Sequence, residues 1–295
     1  MNGRHLILAP LRGVTIRCFR QVFADVIREV GFTETVTPFI CANAGLDPLK
    51  DRELKPCASA GQSDDPKDRT ILLTPQFIGK DPAALRFCLE RIRSAGYETA
   101  DLNCGCPFPM VRNKGRGSGI LRTPDVLRQM LEVGCETMGP DRFSIKTRLG
   151  VSRPDELLGL LPMINEYPLR FLTVHARTAE QMYEGSCNLA MLKEVEKACK
   201  VPLVLNGDLP LPGGEEPSDS LMVGRAFLRY LGERDDIGDL LDRYVEASVA
   251  ELCGTRPVIG RLKELLAYWK DLPRWRRRWQ VAKLARNLDE LRVWN

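Results

Sequence analysis

The sequence predicts an α/β fold: a (β/α)8 TIM barrel followed by a small, all-helical C-terminal domain. Two patterns lead to this prediction. Eight short apolar segments with strand character alternate with helical segments up to residue 223, as in parallel βα repeats, and after residue 225 the pattern is helical only. The 295 residues suffice for a barrel of about 250 residues and an appendage. We place the barrel domain at 1–232 and the helical domain at 233–295.

The individual elements follow from the apolar runs and from helix start signals. The predicted strands cover 6–9, 35–40, 71–78, 99–104, 143–147, 171–175, 202–205 and 220–223. The barrel helices cover 17–30, 82–94, 124–136, 156–165 and 189–200. Several of them begin with Asp-Pro or Thr-Pro, which suit a helix N-terminus. The C-terminal domain is predicted to contain helices at 235–253, 258–269 and 275–291.

Two connections depart from a regular barrel. The segment 42–69 is long and polar, and its tail at 59–68 has the composition of a loop. Only 209–219 separates the seventh strand from the eighth, and this segment contains three prolines and two glycines. Because such a segment is too short for a crossover helix of normal length, we expect the barrel to be pinched there.

The composition favours a globular, cytoplasmic protein. Hydrophobic residues make up 44% of the chain and charged residues 28%, and no apolar run approaches the roughly 20 residues that a membrane span requires. The N-terminus has too short an apolar run for a signal peptide. The ten cysteines lack the spacing of a disulfide scaffold, and only two histidines are present. We therefore expect mostly buried thiols and no bound metal.

Polar or glycine-rich groups follow seven of the eight predicted strands. Barrel enzymes place their functional groups at these C-terminal strand ends. Six polar strand ends on one face would make a poor core, so they predict an active site. The groups are Pro10, Leu11 and Arg12; Gln76; Asn103 to Cys106; Lys146 to Arg148; His175 and Arg177; Asn206, Gly207 and Asp208; and Gly224 and Arg225.

The last strand ends predict a phosphorylated cofactor. Glycines after the seventh and eighth strands allow backbone amides to approach an anion. Gln76 offers a donor and an acceptor to the edge of a ring, and Lys146 and His175 offer donors or positive charge to an electron-accepting ring such as a flavin. Taken alone, Lys146 would be a solvated lysine and His175 a core histidine.

Several motifs together resemble the tRNA-dihydrouridine synthases. The resemblance extends from Pro10 to about Lys283 and implies an FMN barrel with a C-terminal helical domain. It also implies the activity: reduction of the C5–C6 bond of a uridine in the tRNA D loop, with NADPH as reductant. The motifs are Leu102-Asn-Cys-Gly-Cys-Pro107, Gly115-x-Gly117-x-Gly119, Ala9-Pro-x-x-Gly-Val14, Lys146-x-Arg-Leu-Gly150, Val174-His-x-Arg-Thr178, Asn206-Gly and Val223-Gly-Arg225.

The resemblance assigns a role to each matched position. Cys106 is the implied general acid that protonates C5 of uracil while reduced flavin delivers hydride to C6, and Cys104 is a packing neighbour. Asn103 is implied to hold the flipped base, with Arg177 and Tyr183 nearby. The implied FMN ligands are Pro10, Leu11, Arg12, Gln76, Lys146, His175, Asn206, Gly207, Asp208, Gly224 and Arg225. The implied tRNA contacts are Arg112, Lys114, Arg116, Arg261, Lys263, Tyr268 and Lys283.

Within the family, the doubled cysteine and the C-terminal basic residues are most similar to the bacterial C subfamily. Three positions depart from the family pattern. Cys41 stands where that subfamily has an arginine, Ile16 where an acidic residue is usual, and Pro38 where a glutamate is common. The short segment 209–219 lies beside the implied phosphate site. A loss of affinity for FMN is therefore the expected consequence if this segment alters the site.

The C-terminal region concentrates positive charge and all four tryptophans. Residues 260–295 contain ten Lys or Arg against four Asp or Glu, more than solubility requires, which favours RNA binding by the arginines. Trp275 and Trp279 are four residues apart, so they are expected to form an apolar helix stripe rather than an RNA surface. We expect a monomer that binds tRNA. Two alternatives are a non-catalytic homologue that binds structured RNA and another FMN-barrel oxidoreductase with a small unsaturated substrate.

Overall fold

The computed structural model describes residues 5–55, 71–213 and 218–291, and its centre is a parallel β-sheet. Every strand pairing in the sheet is parallel. The strands are β1 His5–Leu8, β2 Glu34–Val36, β3 Ile40–Cys41, β4 Leu72–Thr74, β5 Gln76–Ile78, β6 Ala100–Cys104, β7 Phe143–Gly150, β8 Leu172–Thr178, β9 Leu203–Asn206 and β10 Ser220–Val223.

The ten strand segments form an eight-stranded barrel, because two of the barrel strands are each divided into two segments. The strand order is β3-β5-β6-β7-β8-β9-β10-β1-β2-β4. Pro38 lies between β2 and β3, and Pro75 lies between β4 and β5. The first half of each divided strand gives the pair β2 with β4, and the second half gives the pair β3 with β5. These two pairs stand at opposite ends of the strand order, so the sheet closes on itself. Proline lacks the N–H that a ladder requires, which explains both interruptions. The predicted (β/α)8 fold is confirmed.

Helices surround the barrel and continue beyond it. They are α1 Arg17–Val22, α2 Ala24–Glu29, α3 Pro82–Ser94, α4 Pro109–Arg112, α5 Pro124–Met138, α6 Glu156–Ile164, α7 Leu189–Ala198, α8 Arg225–Glu233, α9 Ile237–Glu251, α10 Thr255–Ala267, α11 Pro273–Ala282 and α12 Leu288–Leu291. Shorter 3₁₀ turns occur at Pro48–Lys50, Arg52–Leu54 and Gly117–Arg122. No helix in the three described ranges is long and apolar enough to cross a membrane.

Two predicted helices are each divided in the structure. The helix predicted at 17–30 breaks at Phe23, whose φ of −93° and ψ of 12° end α1 before α2 begins. The helix predicted at 275–291 is α11 and α12, which are separated by 283–287. The Asp-Pro start of α3 is confirmed in detail, since the Asp81 carboxylate accepts from the N–H groups of Ala83 and Ala84.

The two irregular connections are found where they are predicted, as far as the structure describes them. Residues 207–213 and 218–219 contain no helix, and β9 and β10 pair directly through Leu205 with Leu221 and Asn206 with Met222. The segment after β3 contains only two 3₁₀ turns up to residue 55. Its predicted loop tail at 59–68 lies outside the described residues.

Two buried tryptophans attach the C-terminal helices to the last barrel helix. Trp269 and Trp275 are buried, and their indole N–H groups donate to the α8 carbonyl oxygens of Leu228 at 2.6 Å and Gly232 at 2.7 Å. A Cβ at Gly232 would lie 2.6 Å from the Trp269 ring, so only glycine fits there. The C-terminal helices and the barrel therefore share one hydrophobic core. Trp279 is partly buried against the same core, so Trp275 and Trp279 both pack as the apolar-stripe interpretation predicts.

An ion-pair cluster occupies the barrel end at which the strands begin. The buried Glu34 carboxylate accepts two hydrogen bonds from Arg170, at 2.8 and 2.9 Å, and lies 2.8 Å from the His5 ring nitrogen. Burial acts to raise the pKa of Glu34, but these partners outweigh it and hold that pKa below its ordinary value. The negative charge of Glu34 at this end of the barrel is thus compensated by Arg170.

Candidate active site

A cavity of about 950 Å³ opens at the C-terminal ends of the barrel strands. This volume lies at the upper end of the range for small-molecule sites and leaves room for more than one planar ring. Most residues predicted to form the site line it. They are Pro10, Leu11, Arg12, Asn103, Cys106, Lys146, His175, Tyr183, Asn206, Gly207, Asp208, Gly224, Arg225, Arg261 and Tyr268.

The two cysteines of the central motif lie in different environments. Cys104 ends β6 and is fully buried, whereas Cys106 is 7% exposed and lines the cavity. Between them, Gly105 lies so close to β7 that a Cβ would be 3.3 Å from the Thr147 carbonyl carbon. Burial raises the pKa of Cys106, and a backbone hydrogen bond from Phe108 and nearby cations, among them Arg12, oppose this only in part. Cys106 is therefore a protonated thiol at neutral pH.

The glycine-rich loop after Cys106 packs closely against that residue. The backbone N–H and the hydroxyl of Ser118 donate to the Cys106 carbonyl oxygen at 3.1 and 2.9 Å. Gly117 has a φ of +56°, and a Cβ there would lie 2.8 Å from the Cys106 Cβ. Both facts explain why glycine is needed at this position. Of the loop cations predicted to face RNA, Lys114 is exposed, whereas Arg112 and Arg116 are half-buried.

A buried hydrogen-bonded chain lies directly beneath the cavity. The Asn103 side-chain oxygen accepts from the backbone N–H of Cys106 at 2.9 Å, and its amide nitrogen donates to Gln76 at 2.8 Å. Gln76 in turn donates to the Asp101 carboxylate at 2.7 Å. Gln76 is fully buried, and both ends of its amide are bonded within the protein. It lies below the cavity lining and contacts Asn103 from beneath.

Lys146 and His175 offer the cavity two different kinds of donor. The Lys146 ammonium donates to the Asn206 side-chain oxygen at 2.9 Å, and the Asn206 amide donates to the Met222 carbonyl oxygen at 2.7 Å. Burial, with Arg148 beside it, lowers the pKa of Lys146 to about 8, so the ammonium remains charged at neutral pH.

His175 is neutral in this environment. Burial and the positive charges around it, beginning with Lys146, lower the pKa of His175 far below its ordinary value. Its Nε2 lies 3.2 Å from a guanidinium nitrogen of Arg177, which can only donate. The imidazole proton is therefore assigned to Nδ1, and the ring is a neutral N–H donor.

Asp208 joins two arginines at the end of the cavity that follows β9 and β10. Its carboxylate is bonded by both Arg177 and Arg225, and its backbone has a φ of +52°. Arg177 is 2% exposed and lies behind the cavity wall, where it also donates to the carbonyl oxygens of Glu184 and Gly185. The structure therefore brings Arg225 to the cavity and uses Arg177 to hold the 178–188 loop.

Tyr183 extends from that loop over the cavity. Its ring lies 5.3 Å from the Arg148 guanidinium carbon and 5.5 Å from that of Arg225, and the side chain is 45% exposed. An aromatic ring near two guanidinium groups is held by cation–π attraction to both. The ring is thus a fixed part of the cavity wall that a planar group could contact.

Arg148 is a cavity residue that the sequence places among the polar strand ends but to which it gives no individual role. It is 2% exposed, its Nε donates to the Gly105 carbonyl oxygen at 2.8 Å, and another nitrogen donates to the Thr178 and Met182 carbonyl oxygens at 2.9 and 2.7 Å. It thus connects the cysteine loop to the loop that carries Tyr183. The signal for a cavity position is its place two residues after Lys146, since alternate strand residues point to the same side.

Helix α10 contributes part of the cavity rim. Arg261, Glu264 and Tyr268 line the cavity, and Arg261 lies 3.2 Å from the Glu264 carboxylate. Gly13, with a φ of +85°, packs against this pair and leaves no room for a Cβ. Glu264 has no counterpart among the residues that the sequence identifies.

The other two predicted tRNA contacts of the C-terminal helices lie away from the cavity. The Lys263 ammonium donates to the carbonyl oxygens of Lys283 and Ala285 at 3.0 and 2.7 Å, where it caps the C-terminal end of α11. Lys283 is exposed, and its ammonium is bonded to Gln280. The structure therefore separates a rim pair, Arg261 and Tyr268, from these two lysines.

Comparison with known proteins identifies relatives that modify tRNA. tRNA-dihydrouridine synthase B of Proteus vulgaris is 27% identical over 261 residues, which are 84% of this chain and 76% of that protein. A probable tRNA-dihydrouridine synthase of Staphylococcus aureus (strain COL) is 29% identical over 234 residues, which are 75% of this chain and 67% of that protein. These relatives support the family and do not single out the C subfamily.

Solved structures of other proteins share the fold of this chain. The old yellow enzyme homologue from Zymomonas mobilis superposes with a TM-score of 0.56 at 13% identity, over 82% of this chain and 88% of that chain. Morphinone reductase, solved in complex with tetrahydroNAD, gives a TM-score of 0.52 at 10% identity, over 76% of this chain and 84% of that chain. At these identities the likeness concerns the fold.

The sequence also matches one protein family over almost the whole barrel. The dihydrouridine synthase (Dus) family matches residues 7–229, which include every strand from β2 to β10 and all but the first two residues of β1. The match therefore contains the cysteine loop, Lys146, His175 and the glycines that follow β9 and β10. This chain belongs to the dihydrouridine synthase family.

Proposed function

We propose that this protein is a flavin-dependent tRNA-dihydrouridine synthase that reduces the C5–C6 double bond of a uridine in the tRNA D loop. The proposed cofactor is FMN, the reductant is NADPH, and Cys106 is the general acid. The observation that supports this best is the pairing of a protonated thiol, Cys106, with a charged lysine, Lys146, in one cavity at the strand ends of a barrel from this family.

The donors of the cavity fit a flavin mononucleotide. Lys146 and neutral His175 would donate to the electron-poor ring, whose other wall would be formed by Pro10, Leu11 and Arg12. Arg225 would bind the phosphate. The proposed phosphate end is lined by two glycines, which leave the backbone accessible to an anion. Gly207 has a φ of +118°, and a Cβ at Gly224 would lie 3.2 Å from that of Ala9. When bound and reduced, FMN supplies the hydride for C6 of the base.

Cys106 suits the role of a proton donor. The thiol is protonated at neutral pH because its pKa is raised, so each molecule begins the reaction with a proton to give to C5. The positive charges of Arg12, Arg148 and Lys146 would stabilise the thiolate that remains. Cys104 is buried and outside the cavity lining, so we propose a packing role for it.

Base recognition is proposed to involve Asn103 and Tyr183. A uridine must leave its stack to reach a cavity this deep. Asn103 is at the cavity floor, where its amide can bond the polar edge of the base, and Tyr183 is at the wall beside it. Arg177 would support this region by holding the 178–188 loop.

The tRNA surface is proposed to combine the cysteine loop with the C-terminal helices. Residues 1–232 would be the FMN-binding domain and 233–295 the tRNA-binding domain of a cytoplasmic monomer. Arg261 and Tyr268 at the rim agree with C-subfamily recognition of tRNA, which is proposed on that basis. The full set of proposed contacts is Arg112, Lys114, Arg116, Arg261, Lys263, Tyr268 and Lys283.

Mapping dihydrouridine in tRNA from a strain that lacks this protein tests the proposal. One D-loop uridine is expected to remain unreduced, and expression of the chain should restore its reduction. Purified protein should also show flavin absorbance. An unchanged dihydrouridine map, with no other synthase of the family in the strain, would contradict the proposal.

A further inference from the structure

We propose that Asp101 is a positioning residue that fixes the polarity of a buried amide chain, Asp101–Gln76–Asn103, so that Asn103 presents an N–H donor, and never its carbonyl, to the substrate base. The inference rests on the proposed function, since it concerns how that site recognises its base. Asp101 itself is fully buried in β6 and is outside the cavity lining.

The geometry forms one continuous chain across three strands. One Asp101 oxygen accepts from the Ser144 hydroxyl at 2.7 Å and the other from the Gln76 amide at 2.7 Å. The Gln76 oxygen accepts from the Asn103 amide at 2.8 Å. The Asn103 oxygen accepts from the backbone N–H groups of Cys106 at 2.9 Å and Gly105 at 3.2 Å. Each of these side chains is at most 9% exposed, so water does not compete.

Both ends of the chain have fixed roles. A backbone N–H such as that of Cys106 can only donate, which requires the Asn103 oxygen to face it. An ionised carboxylate can only accept, which requires the Gln76 nitrogen to face Asp101. Burial raises the pKa of Asp101 to about 6, so the carboxylate is ionised at neutral pH. Two amides in series between a fixed donor and a fixed acceptor have only one consistent orientation.

This orientation decides what Asn103 offers to a ligand. Its oxygen is used twice by the backbone, and one of its two amide protons is used by Gln76. The group left for the cavity is the second N–H, which seeks an acceptor such as a carbonyl oxygen of uracil. Without Asp101, the Gln76 amide could turn, place its N–H against that of Asn103, and disturb both the base contact and the Cys106 backbone.

The surroundings of Asp101 allow two explanations to be separated. The charged or titratable groups near Asp101 are Lys146 from β7, Glu34 from β2 and the thiol of Cys104 on its own strand. Asp101 could therefore act through its negative charge on Lys146 rather than through Gln76. The hydrogen-bond explanation predicts that asparagine, which is neutral and can accept from Gln76 while donating to Ser144, replaces Asp101 well.

The first test compares Asp101→Ala with Asp101→Asn in dihydrouridine formation on tRNA. Asp101→Ala should lower kcat by about 100-fold, the loss expected from a misplaced reacting group, with KM for tRNA, the FMN dissociation constant and flavin reduction by NADPH within about threefold of wild type. Asp101→Asn should keep kcat within about threefold. Ser144→Ala, which removes a bond to the other Asp101 oxygen, serves as the matched control.

A second pair of variants covers the case in which Asp101→Ala does not fold. At a pH at which both carboxylates are ionised, since a shared proton would restore the bond, Gln76→Glu should lose kcat by about 100-fold. Adding Asp101→Asn gives the introduced carboxylate a donor below it and leaves that carboxylate an acceptor for Asn103, so the double variant should recover at least about tenfold. Mutual rescue of this kind is not expected from a residue that only fills space.

Two results would overturn the inference. One is Asp101→Asn losing as much kcat as Asp101→Ala, which would assign the effect to charge. The other is no recovery in the Gln76→Glu, Asp101→Asn double variant. Failure of the proposed function is distinct, because wild-type protein loaded with FMN would then form no dihydrouridine in tRNA at all.

Discussion

Cys104 and Cys106 illustrate how little sequence distance separates a fully buried thiol from one that lines the cavity. The strand ends at Cys104, and the close contact of Gly105 with β7 turns the chain so that Cys106 reaches the cavity. The motif alone could single out Cys106 as the proposed general acid. The protonation state of Cys106 could not be predicted from the motif. Burial raises the pKa of this thiol and Arg12 and Arg148 lower it, and both effects depend on residues from other strands.

Lys146 carries a pH dependence that can be measured. Its pKa is lowered to about 8, so the ammonium loses its charge as the pH rises above 8. FMN should hold the charged form, and a contribution of one pKa unit corresponds to about a fourfold increase in the FMN dissociation constant as the pH rises from about 7.5 to about 9. Fluorescence titration of apoprotein with FMN measures this constant.

Lys146→Arg provides the matched control for that titration, since a guanidinium stays charged over this range. Its FMN dissociation constant should be flat from about pH 7.5 to about pH 9. A flat curve for the wild type as well would show that the Lys146 charge does not contribute to FMN binding.

At the level of elements, the sequence predicts the position of strands and helices well and their interruptions poorly. Pro38 and Pro75 each interrupt one barrel strand. The two strands still pair with each other on both sides of these prolines, as β2 with β4 and as β3 with β5. The break at Phe23 has no proline or glycine signal and depends on packing of its ring with Phe19 and Tyr244. Such tertiary causes are not visible in a local pattern.

Helix α11 has two faces with different tasks. Trp275 is buried against α8, whereas Arg276 and Arg277 are exposed. Arg278 is half-buried, with its guanidinium carbon 5.5 Å from the Trp275 ring. The separation agrees with arginines that are free to bind RNA phosphates and tryptophans that hold the helix in place.

Reversing the exposed charges of α11 tests the RNA-binding role. The double variant Arg276→Glu, Arg277→Glu should raise the tRNA dissociation constant at least about tenfold near 0.1 M salt and reduce the salt dependence of binding. Flavin reduction by NADPH should be unchanged. Electrophoretic mobility shift at several salt concentrations provides the measurement.

The control for α11 makes an equal charge change elsewhere. Lys193→Glu with Lys200→Glu alters two exposed lysines, one in α7 and one two residues after its end. This variant should bind tRNA nearly as wild type does. Equal weakening in both double variants would indicate a general charge effect and remove α11 from the tRNA surface.

On the scale of the whole molecule, the two barrel ends differ in charge. At the strand starts, Arg170 neutralises Glu34, which also lies 2.8 Å from the His5 ring nitrogen. At the strand ends, Lys146, Arg148 and Arg225 surround a cavity in which Asp208 is the main opposing charge beside Glu264 at the rim. This asymmetry suits a site for anionic ligands, as a flavin phosphate and an RNA backbone both are.

The sequence predicts which strand ends meet at that site but not what closes it. Parallel strands bring their C-terminal ends to one edge, so Cys106, Lys146 and His175 could be grouped from their positions alone. Glu264 and the contact of α10 with Gly13 could not, because they depend on how Trp269 and Trp275 dock the C-terminal helices. Placement of a helix by distant packing has no local sequence signature.

Dihydrouridine formation by wild type, Cys106→Ala and Cys104→Ala, each loaded with FMN and supplied with NADPH and unmodified tRNA, tests the central claim most directly. Wild type and Cys104→Ala should both form dihydrouridine. Cys106→Ala should bind FMN equally well but form it at least about 100-fold more slowly, the loss expected from removing a general acid. Equal rates for the two cysteine variants, or no product from wild type, would contradict the account.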